Sequence, residues 1–268
     1  MRAEAAHARS LVLTVDGWQG HEAGQHVDVR LTAADGYQAQ RSYSISSAPR
    51  ASQLELLVDC VPDGEFSPYL TGEARVGDRF ELRGPIGGYF VWTPEYGGPL
   101  LLIAGGSGIA PLASILAVRA VAARGLPTQV LYSARTLQDV LFKGRLEDWR
   151  RDDPALAVSL TLTRSAPAGW TGYRRRIDAA MLREVAFEAS DGPLAFVCGP
   201  TAMVEAAADS LVSVGYPAER IRTERSYRRG RFVDQTRVSA EIACRDRSSP
   251  TEELDHLTRQ FGEDNEHL

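Results

Sequence analysis

The sequence is poor in the residues that form disulfides and bind metal clusters. It has only three cysteines, Cys60, Cys198 and Cys244, and they are widely spaced. This number excludes a disulfide framework, and it also excludes an iron–sulfur cluster held by four cysteines of this chain. We therefore expect no metal site and no iron–sulfur cluster in this chain.

Long apolar runs and a basic charge balance are absent as well. No segment approaches the ~20 apolar residues that a membrane-spanning helix requires, and the first ten residues lack the hydrophobic core of a signal peptide. The formal net charge of −5 argues against non-specific binding of nucleic acid. With 44% hydrophobic and 24% charged residues in 268, we expect a soluble, cytoplasmic protein of two domains.

The N-terminal part of the chain has the pattern of short β-strands separated by turns. Apolar or alternating runs occur at residues 11–15, 25–31, 54–60 and 79–82, with glycine-bearing turns between them. This spacing predicts a small antiparallel β-barrel over residues 1–95. A stretch with two prolines and two glycines, residues 92–99, then indicates a linker.

The second part of the chain alternates strand-like and helix-like segments. Buried-strand runs occur at residues 100–104, 129–132, 158–162, 194–197 and 221–224. Helical patterns occur at residues 110–124, 137–150, 179–189 and 202–214. Strict alternation predicts an α/β domain with a doubly wound parallel sheet over residues 99–225. Residues 226–268 are polar and of mixed charge, and we expect a weakly ordered tail with one short helix over 251–261.

One predicted strand, Arg41-Ser42-Tyr43-Ser44-Ile45, carries an arginine and an aromatic on the same side. An arginine can bind phosphate oxygens with its planar fork, and a tyrosine can stack on a flat ring. Together they suit a dinucleotide with an aromatic ring system. An ordinary strand with an exposed arginine and a half-buried tyrosine is the alternative.

Two glycine-bearing segments have the pattern of phosphate-binding turns. In Asp63-Gly64-Glu65-Phe66-Ser67-Pro68, we expect Ser67 to cap a short helix that starts at Pro68, whose amino end could bind phosphate. Gly105-Gly106-Ser107-Gly108-Ile109-Ala110-Pro111 follows a predicted strand and opens a helix, which is the setting of a dinucleotide-binding loop. A proline stands where the standard fingerprint has its third glycine. A capped turn and a purely structural strand-to-helix turn are the alternatives.

Three polar residues follow the second and third predicted strands of the parallel sheet. Ser133 and Arg135 come after one strand and Arg164 after the next. Open α/β sheets bind ligands at the carboxyl ends of their strands. The two arginines could therefore hold the 2′-phosphate of NADP, and on this ground we favour NADPH over NADH. Two surface arginines in solvent or in ion pairs are the alternative.

Five motifs occur together in one order, namely RSYS, DGEFSPYL, RGPIGGYF, AGGSGIAP and VCGPTAM. In this order they resemble the ferredoxin–NADP reductase superfamily. The resemblance implies an FAD-dependent oxidoreductase that uses NADPH or NADH and passes electrons to a separate ferredoxin, oxygenase component or other redox protein. A non-catalytic subunit that binds flavin and nucleotide to sense redox state is the alternative function.

The resemblance also implies roles for individual residues. Arg41, Gly64 and Ser67 would bind the pyrophosphate of FAD, Tyr43 would flank the flavin ring with Phe66 nearby, and Ser44 would face flavin N5. The implied nucleotide contacts are Gly106, Gly108, Ile109, Pro111, Ser133, Arg135, Arg164, Gly199, Pro200 and Met203. The implied catalytic residues are Ser44, Cys198 beside the nicotinamide, and Glu224 as a proton shuttle, for which a plain salt bridge is the alternative. Tyr227 could cover the flavin.

Overall fold

The computed structural model describes residues 1–32, 35–50, 52–226 and 237–243, which form two domains. The first domain is an antiparallel sheet. Its first six strands are β1 (Arg2–Ala5), β2 (Ala8–Val15), β3 (His26–Thr32), β4 (Gln38–Ser44), β5 (Gln53–Asp59) and β6 (Arg79–Ile86). A three-residue helix, α1 (Phe66–Pro68), and one turn of π-helix (Tyr69–Glu73) lie between β5 and β6.

This sheet curls because its two ends are brought together. β2 pairs with β5, and β3 pairs with both β4 and β6. Ile45, just beyond β4, makes an isolated bridge with Leu56 of β5. Alternate residues such as Leu11, Leu13 and Val29 point inward and are buried in one core. The predicted antiparallel barrel-type domain is confirmed.

The second domain is a parallel sheet with strand order β11-β10-β7-β8-β9. Its strands are β7 (Leu100–Gly105), β8 (Thr128–Ala134), β9 (Leu156–Leu162), β10 (Leu194–Gly199) and β11 (Ile221–Arg225). All residues of β7 and β10 are buried, because helices cover both faces of the sheet. The predicted doubly wound α/β domain is therefore confirmed.

The helices of the second domain are α2 (Ile109–Ala122), α3 (Lys143–Asp152), α4 (Ala179–Val185) and α5 (Thr201–Ser213). The prediction of a helix from residue 137 is wrong, because the side chains of Thr136 and Asp139 cap a single 3-10 turn there. Phe142 then takes a left-handed conformation (φ 54°), and α3 begins after it. Among the described helices, none combines the length and the apolar character needed to cross a bilayer.

A twelfth strand, β12 (Arg237–Ile242), returns from the second domain to the sheet of the first. It lies between β2 and β6 and pairs antiparallel with both. Ala240 and Ile242 are buried in the barrel core. The expectation of a weakly ordered tail is therefore wrong for these six residues, because alternate side chains fill the barrel. The expected helix over 251–261 and Tyr227 lie outside the described residues.

The two domains share one hydrophobic cluster. It includes Phe90 and Trp92 from the end of the first domain and Phe196 from β10. The rings of Phe90 and Phe196 meet edge to face, with centroids 5.1 Å apart. The Tyr89 hydroxyl also donates a hydrogen bond to the carbonyl of Ile221. This packing brings the end of β4 beside the carboxyl edge of the parallel sheet.

Candidate functional site

Three residues predicted to be catalytic meet at the boundary between the domains. Ser44 is the last residue of β4, and its hydroxyl donates a 3.2 Å hydrogen bond to Oε1 of Glu224 in β11. Cys198 of β10 lies directly opposite Glu224 in the parallel ladder. These residues are far apart in the sequence, and the fold brings them together; their catalytic roles stay predictions.

Burial sets the protonation of this cluster. It raises the pKa of Glu224 to about 7, although the hydrogen bond from Ser44 acts in the opposite direction. Burial also raises the pKa of the Cys198 thiol, and the neighbouring charge of Glu224 adds to this effect. Cys198 is therefore a neutral packing residue. Glu224 can hold or release a proton near neutral pH, which is the property required of an acid–base group.

Arg41, Tyr43 and Phe66 form an aromatic and cationic cluster beside Ser44, in which Phe66 is buried in the barrel core. The rings of Tyr43 and Phe66 are roughly parallel (30°), with centroids 6.1 Å apart. The guanidinium carbon of Arg41 lies 5.9 Å from the centre of the Phe66 ring. Burial raises the pKa of the Tyr43 hydroxyl, so it stays protonated. An arginine with two aromatic rings suits a ligand that joins a phosphate to a flat ring.

Gly64 and Ser67 build a tight turn instead of a helix cap. The hydroxyl of Ser67 accepts a hydrogen bond from the backbone N–H of Val61. Helix α1 begins at Phe66 and has no side-chain cap, so the predicted cap before Pro68 is wrong. A Cβ added at Gly64 would lie 3.1 Å from the Val61 carbonyl oxygen. The turn is therefore tightly packed at Gly64, and the phosphate-binding roles of Gly64 and Ser67 stay predictions.

The glycine loop after β7 packs backbone to backbone against the end of β10. A Cβ on Gly108 would overlap the Cys198 carbonyl. Gly106 has a φ of 55°, a left-handed conformation that favours glycine. Its carbonyl accepts a hydrogen bond from the hydroxyl of Tyr132. The loop leads into α2 at Ile109, with Pro111 in the first turn.

Because the loop is rich in glycine, a ligand can come close to its backbone at the amino end of a 14-residue helix. The amino end of a helix in general suits a pyrophosphate. Pro200 immediately precedes α5, and a Cβ on Gly105 would overlap Sδ of Met203. The glycine loop, Gly199, Pro200 and Met203 thus form one continuous wall, and the residues present fit a dinucleotide.

Ser133, Arg135 and Arg164 lie at the carboxyl edge of the sheet, as predicted. Ser133 is opposite Gly105 in the ladder of β7 and β8. The backbone N–H of Arg164 donates a 2.9 Å hydrogen bond to the carbonyl of Arg135. Both arginine side chains are exposed. The structure therefore brings the two loops together, and their role toward a 2′-phosphate stays a prediction.

Asp59 is a polar residue of this region that sequence reasoning missed. It ends β5, close to Ser107 of the glycine loop. Burial raises the pKa of Asp59, and the charges of His7 and Arg135 oppose that effect. An acidic residue at a strand end just before the Asp63–Ser67 turn is the signal that could have found it.

Two family models match the chain, one for each domain. Residues 8–91 match the oxidoreductase FAD-binding domain. Residues 102–209 match the oxidoreductase NAD-binding domain. The first range runs from the start of β2 to the residue after Phe90, and the second begins in β7 and ends in α5.

Similar proteins include two fungal reductases. The NADH-cytochrome b5 reductase 1 of Aspergillus oryzae is 32% identical over 212 residues, which cover 75% of this chain and 70% of that protein. The protein of the same name from Lodderomyces elongisporus is 31% identical over 195 residues, 72% of this chain. The chain spans 64% of the Lodderomyces protein.

A solved structure of similar fold is that of the Amycolatopsis cytochrome P450 reductase GcoB. It superposes with a TM-score of 0.72 and 28% sequence identity. The superposition covers 83% of this chain and 66% of that one. The similarity therefore extends over both domains.

Proposed function

The chain belongs to the ferredoxin–NADP reductase superfamily, and we propose that it is a flavoprotein oxidoreductase that passes electrons from a reduced nicotinamide nucleotide to a separate redox protein. When bound, FAD supplies the redox chemistry, since it accepts two electrons from the nucleotide and releases them singly or in pairs. The observation that supports this proposal most directly is the cluster of Ser44, Glu224 and Cys198 between the two cofactor-binding domains.

Some side chains around this cluster bind the cofactor, and others hold a proton. Arg41, Tyr43 and Phe66 bind the phosphate and ring parts of the flavin nucleotide. Ser44 keeps its hydroxyl at the domain boundary, where Glu224 accepts its hydrogen bond. Glu224 then holds or releases a proton at Oε1 near neutral pH, and Cys198 fills the space behind it as a neutral group. The residues thus supply orientation and one exchangeable proton.

The choice of nucleotide has two candidates, each favoured by one observation. Exposed Arg135 and Arg164 on adjacent loops favour NADPH, because two guanidinium groups can hold a 2′-phosphate. The names of the fungal reductases favour NADH. We propose NADPH as the preferred donor, with NADH as the second candidate.

The electron acceptor is proposed as a class only. The fungal relatives are named for cytochrome b5 and the structural neighbour for cytochrome P450. A separate ferredoxin, oxygenase component or small cytochrome is therefore the proposed acceptor. Adding each class to the reduced protein and following the acceptor's absorbance would identify it.

The proposal is tested by mixing the purified protein with NADPH, and separately with NADH, in the absence of oxygen. We expect the yellow protein to lose its flavin absorbance rapidly with at least one nucleotide. A flavin spectrum that neither nucleotide changes would favour the redox-sensing subunit. A colourless protein that binds no added FAD would overturn both functions.

A further inference from the structure

An ion pair joins the two domains close to the candidate site. Arg145 lies in α3 of the second domain, and Glu55 lies in β5 of the first. Nη2 of Arg145 lies 2.7 Å from Oε1 and 2.5 Å from Oε2 of Glu55. The side chains are 21% and 10% exposed, so most of the pair is removed from water.

On the first-domain side, Glu55 is tied to the segment that follows Ser44. The hydroxyl of Ser46 donates to Oε1 of Glu55 at 3.2 Å, and its N–H donates to the Glu55 carbonyl at 2.8 Å. The N–H of Glu55 in turn donates to the hydroxyl of Ser47. Ser46 is fully buried. A displacement of the Glu55 carboxylate is therefore transmitted to the residues next to Ser44.

On the second-domain side, Arg145 is tied to the glycine loop. Its guanidinium lies over the ring of Phe142, 4.7 Å from the ring centre. The N–H of Leu141, next to Phe142, donates to the hydroxyl of Tyr132. That hydroxyl donates to the carbonyl of Gly106. A continuous set of contacts thus runs from the loop beside Ser44 to the loop that suits a dinucleotide.

Stability alone is a weak reason for such a pair. Removing two charges from water costs several kcal/mol, and a buried ion pair often contributes little net stability. Short hydrogen bonds from one guanidinium nitrogen to both carboxylate oxygens do hold the two side chains together, however. Reactions between two bound groups are sensitive to their alignment, and a shift of about 1 Å can cost about a hundredfold in rate.

We propose that Arg145 and Glu55 are positioning residues, which hold the flavin-side segment and the nucleotide-side loop in the alignment needed for electron transfer between the cofactors. The inference rests on the proposed function. The separation of 90 positions along the chain explains why sequence patterns did not reveal the pair. It also gives the left-handed Phe142 a role, since this residue places Arg145 at the start of α3.

The test uses the full-length flavoprotein and four variants: Arg145→Met, Glu55→Gln, the double variant and Arg145→Lys. Arg151→Met is the matched control, because Arg151 lies on the same helix and pairs with Asp148 and Asp152 of that helix. Each protein is checked for FAD content and thermal unfolding. Anaerobic stopped-flow experiments then give the limiting rate constant of flavin reduction and, separately, the apparent Kd of the nucleotide.

We expect Arg145→Met and Glu55→Gln each to lower the limiting rate constant of flavin reduction by about tenfold or more, with little change in the Kd of the nucleotide. The double variant should be no slower than the slower single variant, because both remove one interaction. Arg145→Lys should recover most of the rate, and Arg151→Met should behave like the parent. Rate constants that stay within about twofold of the parent in all variants, whatever their Tm, would overturn the positioning role.

A second measurement does not depend on turnover. Titration with NADP⁺ or NAD⁺ perturbs the flavin absorbance where the two rings approach each other. In Arg145→Met we expect a smaller amplitude of this absorbance change and an unchanged Kd of the oxidised nucleotide. An unchanged amplitude would contradict the inference. If neither reduced nucleotide reduces the parent protein, the proposed function fails, and the amplitude still decides whether the pair positions the loops.

Discussion

The hydroxyl of Ser44 and the carboxyl of Glu224 are joined by a 3.2 Å hydrogen bond across the domain boundary. Ser44 belongs to the curled sheet, and Glu224 belongs to an edge strand of the parallel sheet. Each residue would lack its partner in an isolated domain. This hydrogen bond is therefore a property of the assembled molecule.

Replacement of Glu224 should change how stability depends on pH. Burial raises the pKa of Glu224 from 4.5 to about 7, so the folded protein keeps a proton there that the unfolded chain releases. The stabilising contribution is complete below pH 4.5 and is lost as the pH rises to about 7. Relative to the parent, Glu224→Gln should thus gain roughly 2 kcal/mol in free energy of unfolding between pH 5 and pH 8.

Urea unfolding at the two pH values measures this difference. Glu205→Gln is the control, because Glu205 is an exposed carboxylate on α5. Its stability relative to the parent should be the same at both pH values. If the difference in free energy of unfolding between Glu224→Gln and the parent is the same at both pH values, Glu224 is not protonated in the folded protein at neutral pH.

Loss of Arg135 and Arg164 should affect one nucleotide only. If the two exposed side chains hold the 2′-phosphate, Arg135→Ala with Arg164→Ala should lower kcat/KM for NADPH by roughly tenfold to a hundredfold. The value for NADH, which lacks this phosphate, should stay within about twofold. Steady-state kinetics with both nucleotides measure this, with Arg124→Ala as the control. Equal losses with both nucleotides would contradict the assignment.

Substitution of Gly108 should displace the nucleotide loop. A Cβ there would overlap the carbonyl of Cys198, so the loop after β7 and the end of β10 have to separate. We expect Gly108→Ala to destabilise the protein by about 1–3 kcal/mol and to weaken nucleotide binding. Chemical unfolding and a binding titration measure the two effects.

Gly144 offers a matched control for this substitution. It lies in α3, and a Cβ there would meet no atom within 4 Å. Because alanine favours helices more than glycine does, Gly144→Ala should be neutral or slightly stabilising. Similar losses in both variants would show that the overlap at Gly108 is not the cause.

Shortening Ile242 should destabilise the first domain. Ile242 is fully buried in the barrel core from β12, opposite Leu13. We expect Ile242→Ala to lower the free energy of unfolding by about 2–5 kcal/mol, and Ile242→Val by about 0.5–1.5 kcal/mol. Denaturant titration measures both. Parent-like stability of Ile242→Ala would mean that β12 does not contribute to the core in solution.

Sequence patterns were sufficient where local chemistry decides the structure. The alternation of Arg41, Tyr43 and Ile45 predicted which side chains share a face, but burial does not alternate with it, because Ser44 is half-buried like Tyr43. The buried strands β7 and β10 follow from continuous apolar runs. The meeting of Ser44, Cys198 and Glu224 was accessible only because the motifs resemble those of a known family.

Features that depend on distant partners were missed or misplaced. The hydroxyl of Ser67 was predicted to cap a helix, but it accepts a hydrogen bond from the N–H of Val61 instead. The start of α3 was placed six residues too early, because the capped turn at Thr136–Asp139 resembles a helix start. Strand β12 has an alternating pattern, Val238-Ser239-Ala240-Glu241-Ile242, but its partners lie in the first third of the chain.

The position of β12 has a consequence for how the protein is made. A ribosome delivers the N-terminal strands first, yet the place between β2 and β6 is filled by residues that follow the second domain in the chain. In the nascent first domain, the edges of β2 and β6 therefore remain unpaired until the second domain has been synthesised. A premature stop or a protease cut shortly after Arg225 would leave both family domains intact in sequence. The barrel would nevertheless lack strand β12.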